Sequence, residues 1–329
     1  MAENNPNTIL FAGSSHPSLV KEVSGSLGLK LGQVELDRFP DGEISLQIKE
    51  NVRGRDVFVM QTVALDPNNY LMELLIMVDS LKRASAQSIA VVIPYFGYCR
   101  QDRKDRPRVP ITAKLVANLL QNAGATRILT MDLHTEQLQG FFDIPVDNLY
   151  ARPCIAEVFK QENDCRNLVV VTPDIGSVKL TKSYAKQLGV DFAIVDKHRC
   201  DSNHVDVVTL IGDVKGKDVL LADDMCSTAG TLVSAAKVCQ EKGANRIFAA
   251  VTHGLFVGDS VQKIEQSPIE ALYMSNTIPY TERLDRSTKI KTVSVANLFG
   301  QAIHCILSRE SISSLFQLDS RTEPTISHT

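Results

Sequence analysis

Two acids and a run of small hydroxylated residues stand together in the second half of the chain. Asp223-Asp224 follow the apolar Leu220-Leu221-Ala222, and Ser227-Thr228-Ala229-Gly230-Thr231 then lead into a helical pattern. The order predicts strand, turn and helix, and in an open α/β sheet the carboxyl ends of strands are where ligands bind. The turn offers successive backbone N–H groups and three hydroxyls, a nest at a helix N-terminus that suits a phosphate. Two carboxylates beside a phosphate would repel it unless they serve another part of the same ligand. Ribose hydroxyls, which donate hydrogen bonds, meet that need. The ordinary alternative is a Ser or Thr helix cap with an acid nearby, but strand, double acid, hydroxyl turn and helix in sequence are more specific than a cap.

Other segments carry weaker signals. Arg100-Gln101-Asp102-Arg103-Lys104 follows a predicted strand and could hold an anion, against the usual fate of such runs as solvated loops. Asp132-Leu133-His134 lies at another predicted strand end, where a histidine beside an acid favours a metal or phosphate partner over a core role. Phe39, Asp41 and Glu43 belong to Arg-Phe-Pro-Asp-Gly-Glu, which by itself reads as a type I or II turn. Asp174 ends a further apolar run, and Lys197-His198-Arg199 opens a polar stretch that would ordinarily be a surface loop.

The elements that must position these groups are legible as alternation. Apolar runs at Asp56–Gln61, Ser88–Pro94, Arg127–Asp132, Asn167–Thr172, Asp218–Asp223 and Arg246–Thr252 are near-continuous, the pattern of strands buried on both faces. Helical patterns lie between them at Leu71–Ala84, Thr112–Ala123 and Thr231–Lys242. The expected class is α/β, with mostly parallel sheets flanked by helices. The chain also repeats: Val52-Arg-Gly-Arg-Asp-Val-Phe-Val-Met-Gln61 parallels Val214-Lys-Gly-Lys-Asp-Val-Leu-Leu-Ala-Asp223, each followed by a loop, a helix, a small-residue turn and another apolar strand. Two tandem related domains are the simplest account. The first copy has no paired acids and no Gly-Thr turn after its strand, so it keeps the architecture without the chemistry. Residues 1–150 are read as the N-terminal domain, joined by a C-terminal segment at 306–318; residues 151–305 form the C-terminal domain, and 319–329 a frayed tail.

Composition sets outer limits. The chain has 329 residues, 44% hydrophobic and 22% charged, with a net charge of −3. This suits a soluble two-domain protein, gives no basic surplus for nucleic acid, and leaves local anion sites open. No stretch approaches the roughly 18 apolar residues of a membrane span, and the first residues lack a signal peptide's pattern, so a cytoplasmic location is expected. Seven scattered cysteines without CxxC spacing argue against zinc or a disulfide framework; Cys226, inside the phosphate loop, is expected to be oxidation-sensitive.

Ala222-Asp-Asp-Met-Cys-Ser-Thr-Ala-Gly-Thr231 resembles the phosphoribosyl diphosphate loop of the type I phosphoribosyltransferase fold. Further motifs narrow the resemblance to the class I ribose-phosphate diphosphokinases. They include Phe11–His16, Arg38–Glu43, Arg100–Lys114, Met131–Ala151, Thr172–Gly176, Asp196–Arg199 and Glu310–Phe316. The resemblance implies two tandem phosphoribosyltransferase-like domains and transfer of the diphosphoryl group of ATP to ribose 5-phosphate, giving phosphoribosyl diphosphate and AMP, with Mg²⁺ as cofactor. It implies that Phe39, Asp41, Glu43, Arg100, Gln101 and His134 serve ATP, with Phe39, Asp41 and Glu43 reaching a neighbouring subunit's nucleotide. Asp223, Asp224, Ser227, Thr228, Ala229, Gly230 and Thr231 would hold ribose 5-phosphate, and His134 and Asp174 metal-linked groups. Lys197 and Arg199 would be the catalytic cations. A hexamer is implied, with phosphate activation and ADP inhibition at Lys104, Arg106, Arg108, Ser311 and Ser313.

The chain departs from the family pattern at three places. Ser227 stands where the loop usually has Asp; Gly176-Ser177 replaces Gly-Gly, with Leu180 where an Arg is expected; and Val257-Gly258-Asp259 replaces Ser-Gly-Pro. Lys179 could supply the charge missing at Leu180, though not a bidentate contact. These changes admit a second reading, a non-catalytic associated subunit, but the retained acids, Gly-Thr turn, His134, Lys197 and Arg199 favour an enzyme. A phosphoribosyltransferase proper is disfavoured by the duplication and by Arg100-Gln101.

Overall fold

β-branched and apolar runs flanked by polar turns form strands that exchange hydrogen bonds with parallel neighbours, and the helices between them cover both faces. The computed structural model describes residues 7–198 and 207–316. Arg199 therefore lies outside the described residues, as does the tail from 317 onward. The described residues fall into two compact units: 7–150 with 277–279 and 296–315, and 151–198 with 207–276, 280–295 and Phe316.

In the first unit, β1 (Thr8–Ala12) and α1 (Pro17–Leu27) precede a hairpin of β2 (Val34–Arg38) and β3 (Ile44–Ile48). Then follow β4 (Asp56–Met60), α2 (Pro67–Arg83), β5 (Ser88–Ile93), α3 (Thr112–Ala123), β6 (Arg127–Met131) and β7 (Val146–Leu149). The main sheet has the order β1-β4-β5-β6-β7, all parallel.

In the second unit come α4 (Arg152–Glu162), β8 (Leu168–Thr172), α5 (Val178–Leu188), β9 (Asp191–His198), β10 (Val207–Ile211), β11 (Asp218–Cys226) and α6 (Gly230–Glu241). They are followed by β12 (Ile247–Gly254), α7 (Ser260–Glu265), β13 (Ala271–Ser275) and β14 (Ile290–Val293). The sheet order is β10-β9-β8-β11-β12-β13-β14, parallel except for the β9–β10 pair.

The five parallel strands β8-β11-β12-β13-β14 repeat the serial order of β1-β4-β5-β6-β7. The sequence repeat lays β4 on β11, so Gln61, just past the end of β4, corresponds to Asp223, which lies within the longer β11. Val169, Val171, Leu221, Val251 and Leu272 are buried between the helix layers, each such side chain contributing about 1.5–3 kcal/mol by its removal from water.

The chain closes on the first unit with α8 (Ala296–Ser308) and α9 (Ser313–Phe316). The sequence reading started this returning segment at 306, but α8 as a whole packs on α1. The reason is an apolar stripe, Leu298, Phe299, Ala302 and Ile303, that needs a partner, and Gly300, which has no side chain to hold Ser26 away.

Candidate functional site

In the second unit, β8 and β11 run side by side, and their carboxyl ends bring Asp174 and Asp223 to one edge of the sheet. Asp223 is 8% exposed. Its Oδ1 accepts two hydrogen bonds, from the Asp224 N–H at 2.9 Å and from the Ser177 hydroxyl at 2.6 Å. The Ser177 N–H in turn donates to Asp174 Oδ1 at 3.2 Å, closing the short turn Ile175–Ser177 before α5. Burial, and then the charges of Asp224 and Asp174, push the Asp223 carboxyl up to about 8, while the Ser177 hydrogen bond pulls it back. A carboxylate edge so crowded with negative charge gains from a cation or from hydroxyl donors.

The sequence reading ended this strand at Asp223, but β11 runs on through Met225 and Cys226, which pair with His253 and Gly254 of β12, and only then does the chain turn into α6. Ser227 is half-buried, and Thr228, Gly230 and Thr231 are exposed. Ala229, the residue before α6, sits in the left-handed region at φ 62°, and no side chain caps the helix. The first-turn N–H groups of a helix have no intrahelical acceptor, so this end is open to an anion. The loop is held from behind. Leu255 N–H and Phe256 N–H donate to the Cys226 carbonyl (2.9 and 3.2 Å), and Val257 N–H donates to the Ser227 carbonyl at 2.9 Å. The Val257 departure leaves this backbone bond in place. A left-handed non-glycine residue at a ligand-facing turn is strain of the kind functional loops retain.

One expectation is corrected here. The Cys226 side chain is buried, 2% exposed, and burial followed by the Asp223 charge pushes its thiol up to about 12. A thiol without thiolate character and out of solvent is inert rather than oxidation-sensitive.

In the first unit the hairpin ends in a turn in which Gly42 N–H donates to the Phe39 carbonyl and Phe39 N–H to that of Glu43, both at 2.8 Å. Asp41 is not left-handed, so of the two turn types expected this is the type I geometry. Phe39 is 53% exposed, and Asp41 and Glu43 are exposed beside it. Arg38 ties the hairpin to α2, donating to Asn69 Oδ1 at 2.5 Å.

After β5, Arg100 and Gln101 lie exposed, with Gln101 hydrogen-bonded to Thr112 at the start of α3. Thr135 donates to Asp102 at 2.8 Å, which joins this loop to the segment after β6 where His134 is exposed. Asp132, at φ 40°, turns that segment out of the sheet. Arg100–Asp102 and Asp132–Thr135 therefore form one neighbourhood. His134 and Asp174 belong to different units. Lys197 lies on β9. Lys104, Arg106 and Arg108 are exposed between β5 and α3, and Ser311 and Ser313 are exposed after α8.

Sequence reasoning missed Ser177, which it treated only as a departure. It also missed what became of the equivalent corner in the first unit. There Ser15 donates from its hydroxyl (2.6 Å) and its N–H (3.1 Å) to Gln61 Oε1, and Gln61 donates to Glu73 at 2.8 Å. Ser14 donates to both oxygens of that same buried carboxylate. The corner is filled from within, and the repeat pairing of Gln61 with Asp223 is the signal that pointed to it.

The residues of this edge also fit a hard cation. Mg²⁺ typically takes one or two protein carboxylates and completes its shell with phosphate oxygens and water. Asp174 and the Asp223–Asp224 pair each offer carboxylate oxygens of that kind, although no group of three or more His, Cys, Asp or Glu among the described residues is placed to hold a metal ion by itself.

Residues 8–124 match the N-terminal domain of ribose phosphate pyrophosphokinase, and residues 199–317 match the family described as phosphoribosyl synthetase-associated domain. The chain is 52% identical to the ribose-phosphate pyrophosphokinase of Wolinella succinogenes over 93% of its own length and 98% of that protein. It is 48% identical to that of Chlorobaculum tepidum, over 97% and 98%. The crystal structure of phosphoribosylpyrophosphate synthetase from Mycobacterium smegmatis matches with a TM-score of 0.87 at 38% identity, covering 92% of this chain and 99% of that one. With likeness of this degree along nearly its whole length, the chain belongs to the ribose-phosphate pyrophosphokinase family.

Proposed function

We propose that this enzyme transfers the diphosphoryl group of ATP to the C1 hydroxyl of ribose 5-phosphate, and that the β11–α6 corner is where ribose 5-phosphate binds. The observation that carries the reading is the pairing of an uncapped helix N-terminus with the Asp223–Asp224 carboxylates a few residues before it. The N–H groups and hydroxyls of Ser227, Thr228, Gly230 and Thr231 suit the 5-phosphate, and the two acids suit the ribose hydroxyls.

In the reaction the C1 oxygen forms a bond to the β-phosphorus, the bond from that phosphorus to the oxygen of the α-phosphate breaks, AMP leaves, and the hydroxyl proton is released. The protein's work is positioning and stabilising spread negative charge. Lys197 and Arg199 are proposed to bring positive charge to the moving diphosphate. Phe39, Asp41, Glu43, Arg100, Gln101 and His134 are proposed to hold ATP. Asp174 in the second unit and His134 in the first are each proposed to support metal-linked groups, and Mg²⁺ would neutralise phosphate charge when bound.

The same reading extends to a hexamer, to activation by phosphate and inhibition by ADP at Lys104, Arg106, Arg108, Ser311 and Ser313, and to a cytoplasmic location. Free thiols at the six described cysteines suit that location, and no helix among the described residues is long and apolar enough to cross a membrane. The deciding experiment incubates purified protein with ATP, Mg²⁺ and ribose 5-phosphate. AMP and phosphoribosyl diphosphate should form in equal amounts; folded protein that forms no AMP at any phosphate concentration would instead be an associated subunit.

A further inference from the structure

Ser177 stands immediately before α5, where a serine ordinarily turns its hydroxyl onto its own helix. Here the hydroxyl makes no cap bond. It reaches instead to the neighbouring strand end and donates to Asp223 Oδ1 at 2.6 Å, a bond across 46 residues of sequence. The Asp224 N–H donates to the same oxygen. Oδ1 is thereby held twice, the carboxylate plane is fixed, and Oδ2 accepts no hydrogen bond from the described residues.

The first unit repeats the device with other residues. Ser15, on the loop after β1, donates at 2.6 Å to Gln61, the residue the repeat aligns with Asp223. In that copy the far side of Gln61 is occupied by Glu73. In the second copy the far side of Asp223 is left for a ligand.

We infer that Ser177 is a positioning residue for ribose 5-phosphate: its hydroxyl locks Asp223 in the orientation that presents Oδ2 to a ribose hydroxyl. The inference rests on the proposed ribose 5-phosphate site. The carboxylate contact is made in the ground state, so a misoriented Asp223 weakens sugar binding and leaves the nucleotide untouched. The helix cap is not at stake, because the hydroxyl does not cap.

The test compares Ser177→Ala, Ser177→Thr, Asp223→Asn and the double variant Ser177→Ala/Asp223→Asn, with steady-state kinetics in both substrates and a thermal melt of each. Ser177→Ala should raise the KM for ribose 5-phosphate about tenfold, the upper size expected when an ordinary hydrogen bond is lost, with the KM for ATP unchanged. Ser177→Thr keeps the hydroxyl and should return most of the loss. In the double variant, Ser177→Ala should add little to Asp223→Asn, since it acts through that carboxylate. Should Ser177→Ala be unfolded at the assay temperature, Ser177→Gly removes the same hydroxyl at a backbone φ of −94° that any residue adopts, with the same expectation. An unchanged ribose 5-phosphate KM in the hydroxyl-free variant, equal loss in the Thr variant, or full additivity in the double variant would each overturn the inference. An Asp223→Asn variant with normal ribose 5-phosphate binding would overturn the site itself.

Discussion

At the scale of single residues the site divides into groups that bind and groups that act on charge developing in the reaction. Asp223 is proposed to be of the first kind: it is buried, held by hydrogen bonds from Ser177 and Asp224, and its carboxyl is raised by burial first and then by the charges of Asp224 and Asp174. Lys197 and Arg199 are proposed to be of the second kind. Replacing either with Ala should lower kcat and kcat/KM together by about 10²–10³-fold, the usual loss for one group stabilising an oxyanion, with little change in KM. Asp223→Asn should instead also raise the KM for ribose 5-phosphate. Steady-state kinetics of the three variants separate the roles, and a Lys197→Ala enzyme altered only in its KM for ATP would make Lys197 an ordinary binding residue.

At the scale of elements, the loops are positioned by close approaches and by pairs at the strand starts. Gly97 begins the turn that carries Arg100 and Gln101, and a Cβ there would lie 2.5 Å from the Val63 carbonyl oxygen. Backbone cannot move aside as a side-chain tip can. Gly97→Ala should therefore destabilise by about 1–3 kcal/mol, as overpacking does, and raise the KM for ATP; denaturant titration beside kinetics measures both. A variant as stable as the parent would show that the turn has room.

At the opposite end of β11, Asp218 pairs with Arg246 at 2.6 Å and accepts from Asn245 at 2.8 Å. Burial pushes the Asp218 carboxyl up, but the hydrogen bonds from Arg246 and Asn245 outweigh it and the net is below the ordinary 3.8. A depressed carboxylate contributes stability that is present above its unfolded pKa and is lost as pH falls through the lower folded value. Asp218→Asn should thus cost roughly 1 kcal/mol at neutral pH, a modest figure because Arg246 is partly exposed, and the gap from the parent should close as pH is stepped down through the carboxylate range. A gap independent of pH would mean that packing, not charge, holds the pair.

At the scale of the molecule, the duplicated corner is filled in one copy and open in the other, which is why binding is proposed for the second alone. Both sheets present a serine and a polar side chain at the same corner, but Glu73 fills the first from inside, while the second leaves Asp223 and the α6 N-terminus open. The proposed assembly is tested by light scattering after size exclusion, where a hexamer is expected. The proposed regulation is tested by kinetics: inorganic phosphate should activate, and ADP should inhibit beyond competition with ATP. Full activity without phosphate, with ADP strictly competitive, would remove Lys104, Arg106, Arg108, Ser311 and Ser313 from a regulatory role.

The sequence by itself determined the α/β class, the strands at Asp56, Ser88, Arg127, Asn167, Asp218 and Arg246 to within a residue or so at their starts, and the family. Each of these is written in local order: buried parallel strands read as continuous apolar runs, and the Ala222–Thr231 loop is contiguous. What depends on residues far apart in sequence was decided only by tertiary structure. The whole of α8 returns to α1 because an apolar stripe must be covered, a need with no marker at residue 296. Cys226 is inert because the loop that exposes Thr228 turns the thiol inward. Ser177 looked like a lost glycine. Its role exists only because parallel pairing of β8 with β11 sets the turn after β8 beside Asp223 of the longer strand, within reach of one hydroxyl.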